Sequence, residues 1–259
     1  MAANGTIFVM YHELEVPGRT VAQSEPGYVR YVLPSGDFER QMDWLQQNGW
    51  RGMNVSQALQ FGPQKGVALT FDDGCETDLL AAAPILKDRG FDATFYVTAG
   101  FVGRPGYMNA SQVRELAGLG FEIGCHSMSH AYLSDLEGNA MEVEVRGAKR
   151  ELENIVDRTV EHFSCPGGRY NEQVVEQVKA AGYRSMATSR PHPNELGTDC
   201  FRLGRIAMLR GVELTAFARI SRGQGLWGRN LRAALRDRCK EILGNRLYER
   251  IRGRLLERG

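Results

Sequence analysis

Short apolar runs alternate along this chain with stretches whose apolar residues recur every three or four positions. The first kind suits a buried strand and the second the inner stripe of a helix. Ile7-Phe8-Val9-Met10-Tyr11 reads as a first strand, and Phe38 to Asn48 as a helix with Phe38, Met42 and Leu45 on one stripe. Val67-Ala68-Leu69-Thr70-Phe71 reads as a second strand, followed by a helix from about Asp78 to Arg89. The alternation continues with a strand at Ala93–Val97, a helix at Ser111–Leu119, a strand at Phe121–Cys125 and a long helix at about Asn139–Val156. A strand at His162–Cys165, a helix at Glu172–Ala181, a strand at Tyr183–Ala187 and a last strand near Leu203–Met208 complete it. Gly90, Gly120 and Gly182 stand where helices stop, because glycine accepts the left-handed backbone that ends a helix.

Strand and helix alternate about seven times, and the strands are mostly apolar, as strands buried on both faces are. The pattern predicts an α/β fold with a parallel sheet, open or closed into a barrel. Ligands of such folds bind at the carboxyl ends of the strands. Residues 13–36, rich in Gly, Pro and Ser, read as a loop insertion, and residues 188–202 as a second long loop. In the second loop His192 and Glu195 either line a substrate cleft or belong to an exposed polar surface.

Composition narrows the class. The chain has 259 residues, 42% hydrophobic and 24% charged, which fits a soluble globular protein and excludes a fibrous, disordered or disulfide-dense one. No apolar run is long enough to span a bilayer. The start, Met1-Ala2-Ala3-Asn4-Gly5, lacks the basic and apolar regions of a secretory signal, and the five cysteines are odd in number. Both point to a cytoplasmic protein with free thiols.

The net charge of +1 hides an asymmetry. Residues 212–259 carry 12 Lys/Arg and 5 Asp/Glu, while residues 1–211 carry 20 and 26. The chain therefore divides into a mildly acidic body, 1–211, and a basic tail, 212–259. Within 226–256, Leu231, Leu235, Cys239, Ile242, Leu243, Leu247, Ile251 and Leu255 recur at helical spacing with arginines between them, broken near Gly244-Asn245. Such a basic amphipathic helix either docks on an anionic membrane surface or packs on the acidic body or a second copy. No motif for reading nucleic acid accompanies the charge.

The candidate chemistry lies at predicted strand ends. Thr70-Phe71-Asp72-Asp73-Gly74 puts two carboxylates where an apolar strand meets a loop. Paired acids there are costly unless a cation neutralises them or one keeps a proton, which suggests a metal ligand beside a general base. By itself the motif also reads as a turn. His126-Ser127-Met128-Ser129-His130 follows another strand, and two His at i and i+4 can meet one metal if the segment turns helically. Asp73, His126 and His130 would make a two-His, one-carboxylate set with open positions. Ser164-Cys165-Pro166-Gly167-Gly168-Arg169-Tyr170-Asn171 follows a third strand. Its glycines either let backbone N–H groups approach an oxyanion or form a plain turn. Met10-Tyr11-His12-Glu13 ends the first strand and makes His12 a candidate acid. Cys75, Cys125 and Cys165 adjoin these motifs, but side chains alternate along a strand, so they are expected to face away.

These motifs, in this order and spacing over about residues 67–210, resemble the NodB-homology polysaccharide deacetylases. The opening Met-Tyr-His and the helix after it resemble the branch that includes poly-N-acetylglucosamine deacetylases. The resemblance implies a distorted (β/α) barrel of about seven strands and hydrolysis of N-acetyl groups on sugars. It implies Asp72 as base, Asp73, His126 and His130 as ligands of one divalent metal, and His12 as acid. Zinc is the expected metal, and the ligand set also suits Fe, Co or Ni. Gly167, Gly168 and Tyr170 are expected near substrate and oxyanion. The family's usual Arg-Pro-Pro-Tyr stretch reads Ser164-Cys165-Pro166-Gly167 here, so the arginine that braces the base is missing. Arg205 on the last strand is the candidate replacement, with a solvated strand-end charge as the other reading. The expected substrate is an N-acylated sugar, lipid-linked or nucleotide-linked, processed in the cytoplasm or at the inner membrane face. Alternatives are removal of a formyl group from a formamido sugar, and a catalytically silent glycan-binding scaffold.

Overall fold

The computed structural model describes residues 5–62, 65–226 and 228. Seven parallel strands form a curled sheet: β1 Gly5–Tyr11, β2 Gly66–Asp73, β3 Thr94–Val97, β4 Glu122–Cys125, β5 His162–Ser164, β6 Ser185–Ala187 and β7 Ile206–Ala207. Strands β1 to β6 lie side by side in chain order, and β7 returns to the free side of β1, pairing Ile206 with Val9. A single bridge from Leu203 to Ala187 draws the β6 edge toward that returning segment. The result is the distorted (β/α) barrel that the resemblance implies, with all seven strands where sequence periodicity puts them.

Strand alternation sorts the side chains into two apolar clusters. Val9, Tyr11, Leu69, Phe71, Phe95, Ile123, Phe163 and Met186 face outward into the larger one, under the helices. Phe71 stacks on Phe95 with ring centres 4.7 Å apart. Phe8, Ala68, Tyr96, Ala187 and Leu203 form the smaller, interior one with Met53, Val55 and Ala58. Gly124 makes room there, because a Cβ at this position would lie 2.3 Å from the Tyr96 ring.

The observed helices include Ser35–Gln47, Ala110–Gly118 and Glu172–Ala180, each within a few residues of its sequence reading. Two long helices depart from regularity. The one expected over Asp78–Arg89 begins with a π-helical turn, Asp78–Ala82, directly before Pro84, which lacks an N–H to continue the ladder. The one expected over Asn139–Val156 runs Gly138–Glu142 and Ala148–Val156 with a π-helical turn, Val143–Gly147, between them.

Several elements were not read from the sequence. A short strand, Arg51–Met53, pairs with the lower half of β2. A helix, Val55–Phe61, follows it and closes the amino end of the barrel, with its Val55 and Ser56 N–H groups donating to the Glu122 carboxylate. Its Asn54–Gln57 capping box was a legible start signal, but seven residues are too few to show a period. The segment 13–36 is not an open loop. It holds paired strands Leu14–Glu15 and Leu33–Pro34 and a helical turn, Pro26–Val29, pinned by buried Glu13, which accepts from Ala22 N–H and the Tyr28 hydroxyl. Beyond residue 211, the helix Leu214–Ser221 packs onto Ser35–Gln47, with buried Phe217 edge-on to Trp44. The basic amphipathic stretch expected over 226–256 lies, apart from Leu226 and Gly228, outside the described residues. Among the described residues no helix is long and apolar enough to cross a membrane.

Candidate active site

The carboxyl ends of β1, β2, β4 and β5 bring the sequence motifs together. β2 continues to Asp73, and its alternation points Asp72 into the barrel. At Asp73 the backbone turns left-handed (φ +83°), so the chain leaves the strand with both acids at the rim. Asp73 Oδ1 lies 3.6 Å from His126 Nε2 and 3.5 Å from His130 Nε2. The donor atoms of these three residues all fall within 4.8 Å of one another, and no cysteine joins them among the described residues.

Two observations test whether this set fits a cation. Asp73 Oδ1 is buried with no hydrogen-bond partner, although it faces two imidazoles. Its distances to them are too long for hydrogen bonds, yet two atoms about 2.1 Å from one ion at a tetrahedral angle stand about 3.4 Å apart. His126 Nδ1 lies 2.8 Å from the Ser164 carbonyl, which can only accept. The Nδ1 proton is thereby fixed, and the Nε2 lone pair turns toward Asp73. Burial lowers the His126 pKa to about 4, partly opposed by the charge of Asp72. The imidazole is neutral at pH 7, the state that binds metal. The residues fit a divalent cation.

Asp72 has a different environment. Arg205 donates to both of its oxygens, at 2.7 and 2.8 Å, and Ser164 Oγ sits 2.7 Å from the same guanidinium and 3.3 Å from Asp72 Oδ2. Arg205 is fully buried, its Nε donating to the Thr188 carbonyl. It is therefore no solvated strand-end charge. Burial pushes the Asp72 pKa up, but the charge and hydrogen bonds of Arg205, with His126 and His12, outweigh this and hold it well below the usual carboxylate range.

His12 emerges from β1 beside this pair. Its ring packs on Tyr31 at 4.7 Å, and its Nδ1 is buried without a partner. Burial lowers its pKa, opposed by Asp73 and Asp72. Tyr31 comes from the segment read as a loop insertion, and nothing in its spacing marked it.

The glycine turn also lies at this rim. Gly167 and Gly168 adopt φ of +61° and +65°, and a Cβ on either would strike Tyr132 or Ser189. The Gly168 N–H donates to the Cys165 carbonyl and is occupied within the turn. Tyr170 is half-buried beneath Arg190, whose guanidinium lies 5.2 Å from its ring. Cys125 and Cys165 are buried and Cys75 packs against the Tyr28 hydroxyl, so all three adjoin the site without entering it. Of the second loop, Glu195 does not line the cleft. Asn194–Glu195 pairs antiparallel with Gly5 and Thr6, at the amino end of β1, opposite the site. His192 turns onto the Pro193 carbonyl and packs against Gly204.

A curled parallel barrel with an Asp-His-His cluster at its carboxyl rim defines a protein of the NodB-like deacetylase architecture. Residues 61–186 match the family model for polysaccharide deacetylase. The chain is 28% identical over 191 residues to YxkH of Bacillus subtilis, covering 71% of this chain and 68% of that protein. It is 32% identical over 127 residues to the peptidoglycan-N-acetylglucosamine deacetylase of Bacillus cereus, covering 49% of this chain and 57% of that one. The chain thus spans little more than half the length of the second relative. The solved structure of the Streptococcus pyogenes deacetylase PplD in complex with acetate superposes with a TM-score of 0.74 at 20% identity, covering 84% of this chain and 98% of that one. At that identity the likeness establishes the shared fold.

Proposed function

We propose that this protein is a metal-dependent hydrolase that removes N-acetyl groups from a sugar in cell-surface polysaccharide or glycolipid biosynthesis. The observation that carries the reading is the juxtaposition of the Asp73, His126 and His130 donors with the Arg205-held Asp72 and with His12. Asp73, His126 and His130 hold one divalent ion, for which Zn, Fe, Co or Ni is suited. When bound, the ion polarises the amide carbonyl and acidifies water.

The chain's own residues supply the remaining steps. Arg205 and Ser164 fix Asp72 in one orientation, and Asp72 accepts the proton of the attacking water. Gly167 and Tyr170, rather than Gly168 and Arg169, whose N–H groups donate within the turn, offer polar groups to the oxygen that gains charge. His12, held against Tyr31, protonates the nitrogen as the C–N bond breaks. The products are acetate and a free amino sugar. The four described cysteines are unpaired, which fits a reducing compartment and hence a lipid-linked or nucleotide-linked precursor as substrate.

The test is acetate release from N-acetylglucosamine oligomers and from lipid- or nucleotide-linked N-acetyl sugars. It is run before and after chelation and after re-addition of Zn2+ or Co2+. Chelation is expected to abolish release and re-addition to restore it. Release of formate from a formamido sugar in preference to acetate would redirect the assignment to a deformylase. A protein that binds no metal and hydrolyses neither would be a glycan-binding scaffold.

A further inference from the structure

His126 and His130 stand at the two ends of a five-residue loop whose backbone is gripped from both sides. On one side, the Ala99 N–H donates to the Ser127 carbonyl (3.0 Å) and the Gly100 N–H to the Met128 carbonyl (2.8 Å). On the other lies the carboxylate of Glu144. Its Oε2 accepts from the Met128 N–H at 3.0 Å and the Ser129 N–H at 2.9 Å, and its Oε1 accepts from the Ser129 hydroxyl at 2.5 Å. Inside the loop, Ser127 Oγ accepts from the His130 N–H at 3.0 Å.

The loop does not hold this shape by local preference. Ser127 and His130 adopt φ of +66° and +61°, a region that residues with a Cβ avoid unless their surroundings impose it. Glu144 is 7% exposed and sits in the π-helical turn Val143–Gly147. A buried carboxylate is tolerated when donors fill its lone pairs, and here the donors come from the histidine loop.

We infer that Glu144 is a positioning residue that pre-forms the 126–130 loop, so that His126 and His130 already converge on Asp73 before an ion arrives. The inference rests on the metal reading above. It predicts an effect on ion affinity that is separable from fold stability.

The experiment titrates Co2+ into metal-free, full-length protein and follows visible ligand-field absorption. Wild type and Glu142→Gln set the reference, since Glu142 lies on the same helical stretch but is exposed beside Arg146. Glu144→Ala leaves two backbone N–H groups without an acceptor and is expected to weaken Co2+ binding about tenfold or more. Glu144→Gln keeps one oxygen for both N–H groups, and its amide can donate to Ser129 Oγ, so it should bind within about threefold of wild type.

A folded Glu144→Ala protein that melts earlier but binds Co2+ as wild type does would make Glu144 structural only and overturn the inference. So would Glu144→Gln losing as much affinity as Glu144→Ala, because charge rather than loop geometry would then be acting. A second measurement uses wild type alone, in case Glu144→Ala does not fold. The Met128 and Ser129 amides should be protected from hydrogen exchange in the metal-free protein, and free exchange there would overturn the inference equally. Wild type that takes up no Co2+ would sink the metal reading itself, and this inference with it.

Discussion

Arg205 grips Asp72 at two points, Nη1 to Oδ1 at 2.7 Å and Nη2 to Oδ2 at 2.8 Å, across 133 residues of sequence. The planar fork matches a carboxylate in one orientation only, which a lysine could not impose. The pair is the electrostatic centre of the barrel's carboxyl end, and it separates the two adjacent acids. Asp72 is neutralised by an arginine, whereas Asp73 is left facing two imidazoles.

Asp72→Asn is expected to keep the cation and lose the reaction. Asp73, His126 and His130 are untouched, so metal content stays near that of wild type. Deacetylation falls about 10²–10⁴-fold with loss of the base. Metal analysis beside an acetate-release assay checks both halves, and a fully active variant would remove Asp72 from that role.

Arg205→Met strands a buried carboxylate and should cost about 3–5 kcal/mol of stability at pH 7, read by urea unfolding. Adding Asp72→Asn should recover much of that loss, because the uncompensated charge is gone. Asp72 has a folded pKa below its unfolded value of about 3.9, so the native contribution is fully present above that pH. It is lost as pH falls further toward the folded value. Equal losses in the single and double variants would show that packing, not charge, is what Arg205 contributes.

The metal-free protein should lose a stabilising contribution from His126 on acidification. The His126 pKa is lowered from 6.5 to about 4 by burial, so the unfolded chain binds a proton that the native state refuses. The His126 contribution to stability therefore falls as pH drops from about 6.5 toward about 4, by about 3 kcal/mol. His126→Gln should flatten that slope in urea titrations at a series of pH values. An unchanged slope would place the titrating group elsewhere.

Gly124→Ala tests the barrel interior. The new methyl would meet the Tyr96 ring at 2.3 Å, and neither strand can retreat without breaking its ladder. A loss of about 1–3 kcal/mol is expected, seen as a lower thermal midpoint with near-native far-ultraviolet dichroism. A variant as stable as wild type would show that Tyr96 has room to move.

How much of this was legible in the chain differs by residue. Asp72, Asp73, His126 and His130 could be read as a set because each sits in a short motif at the end of a strand whose apolar run is visible. Arg205 could be named only as a candidate, because a lone arginine near a strand looks the same whether it is solvated or fully buried. Tyr31 was hidden in a segment of turn-forming residues, and Glu144 on a helix whose acids otherwise read as solvent-facing. Glu195 could be read either as lining the cleft or as part of an exposed loop, and pairing with Gly5 places it at the other end of the barrel.

The sequence by itself determined the rhythm of strands and helices and which residues stand as candidates for the reacting groups. Both depend on neighbours a few residues apart, and periods of two and 3.6 record them directly. Only the tertiary structure decided which groups hold the reacting ones: Arg205 on Asp72, Tyr31 on His12, Glu144 on the histidine loop. Those contacts join residues separated by up to 133 positions. They depend on how the sheet curls and where the last strand returns to β1, which no local period encodes.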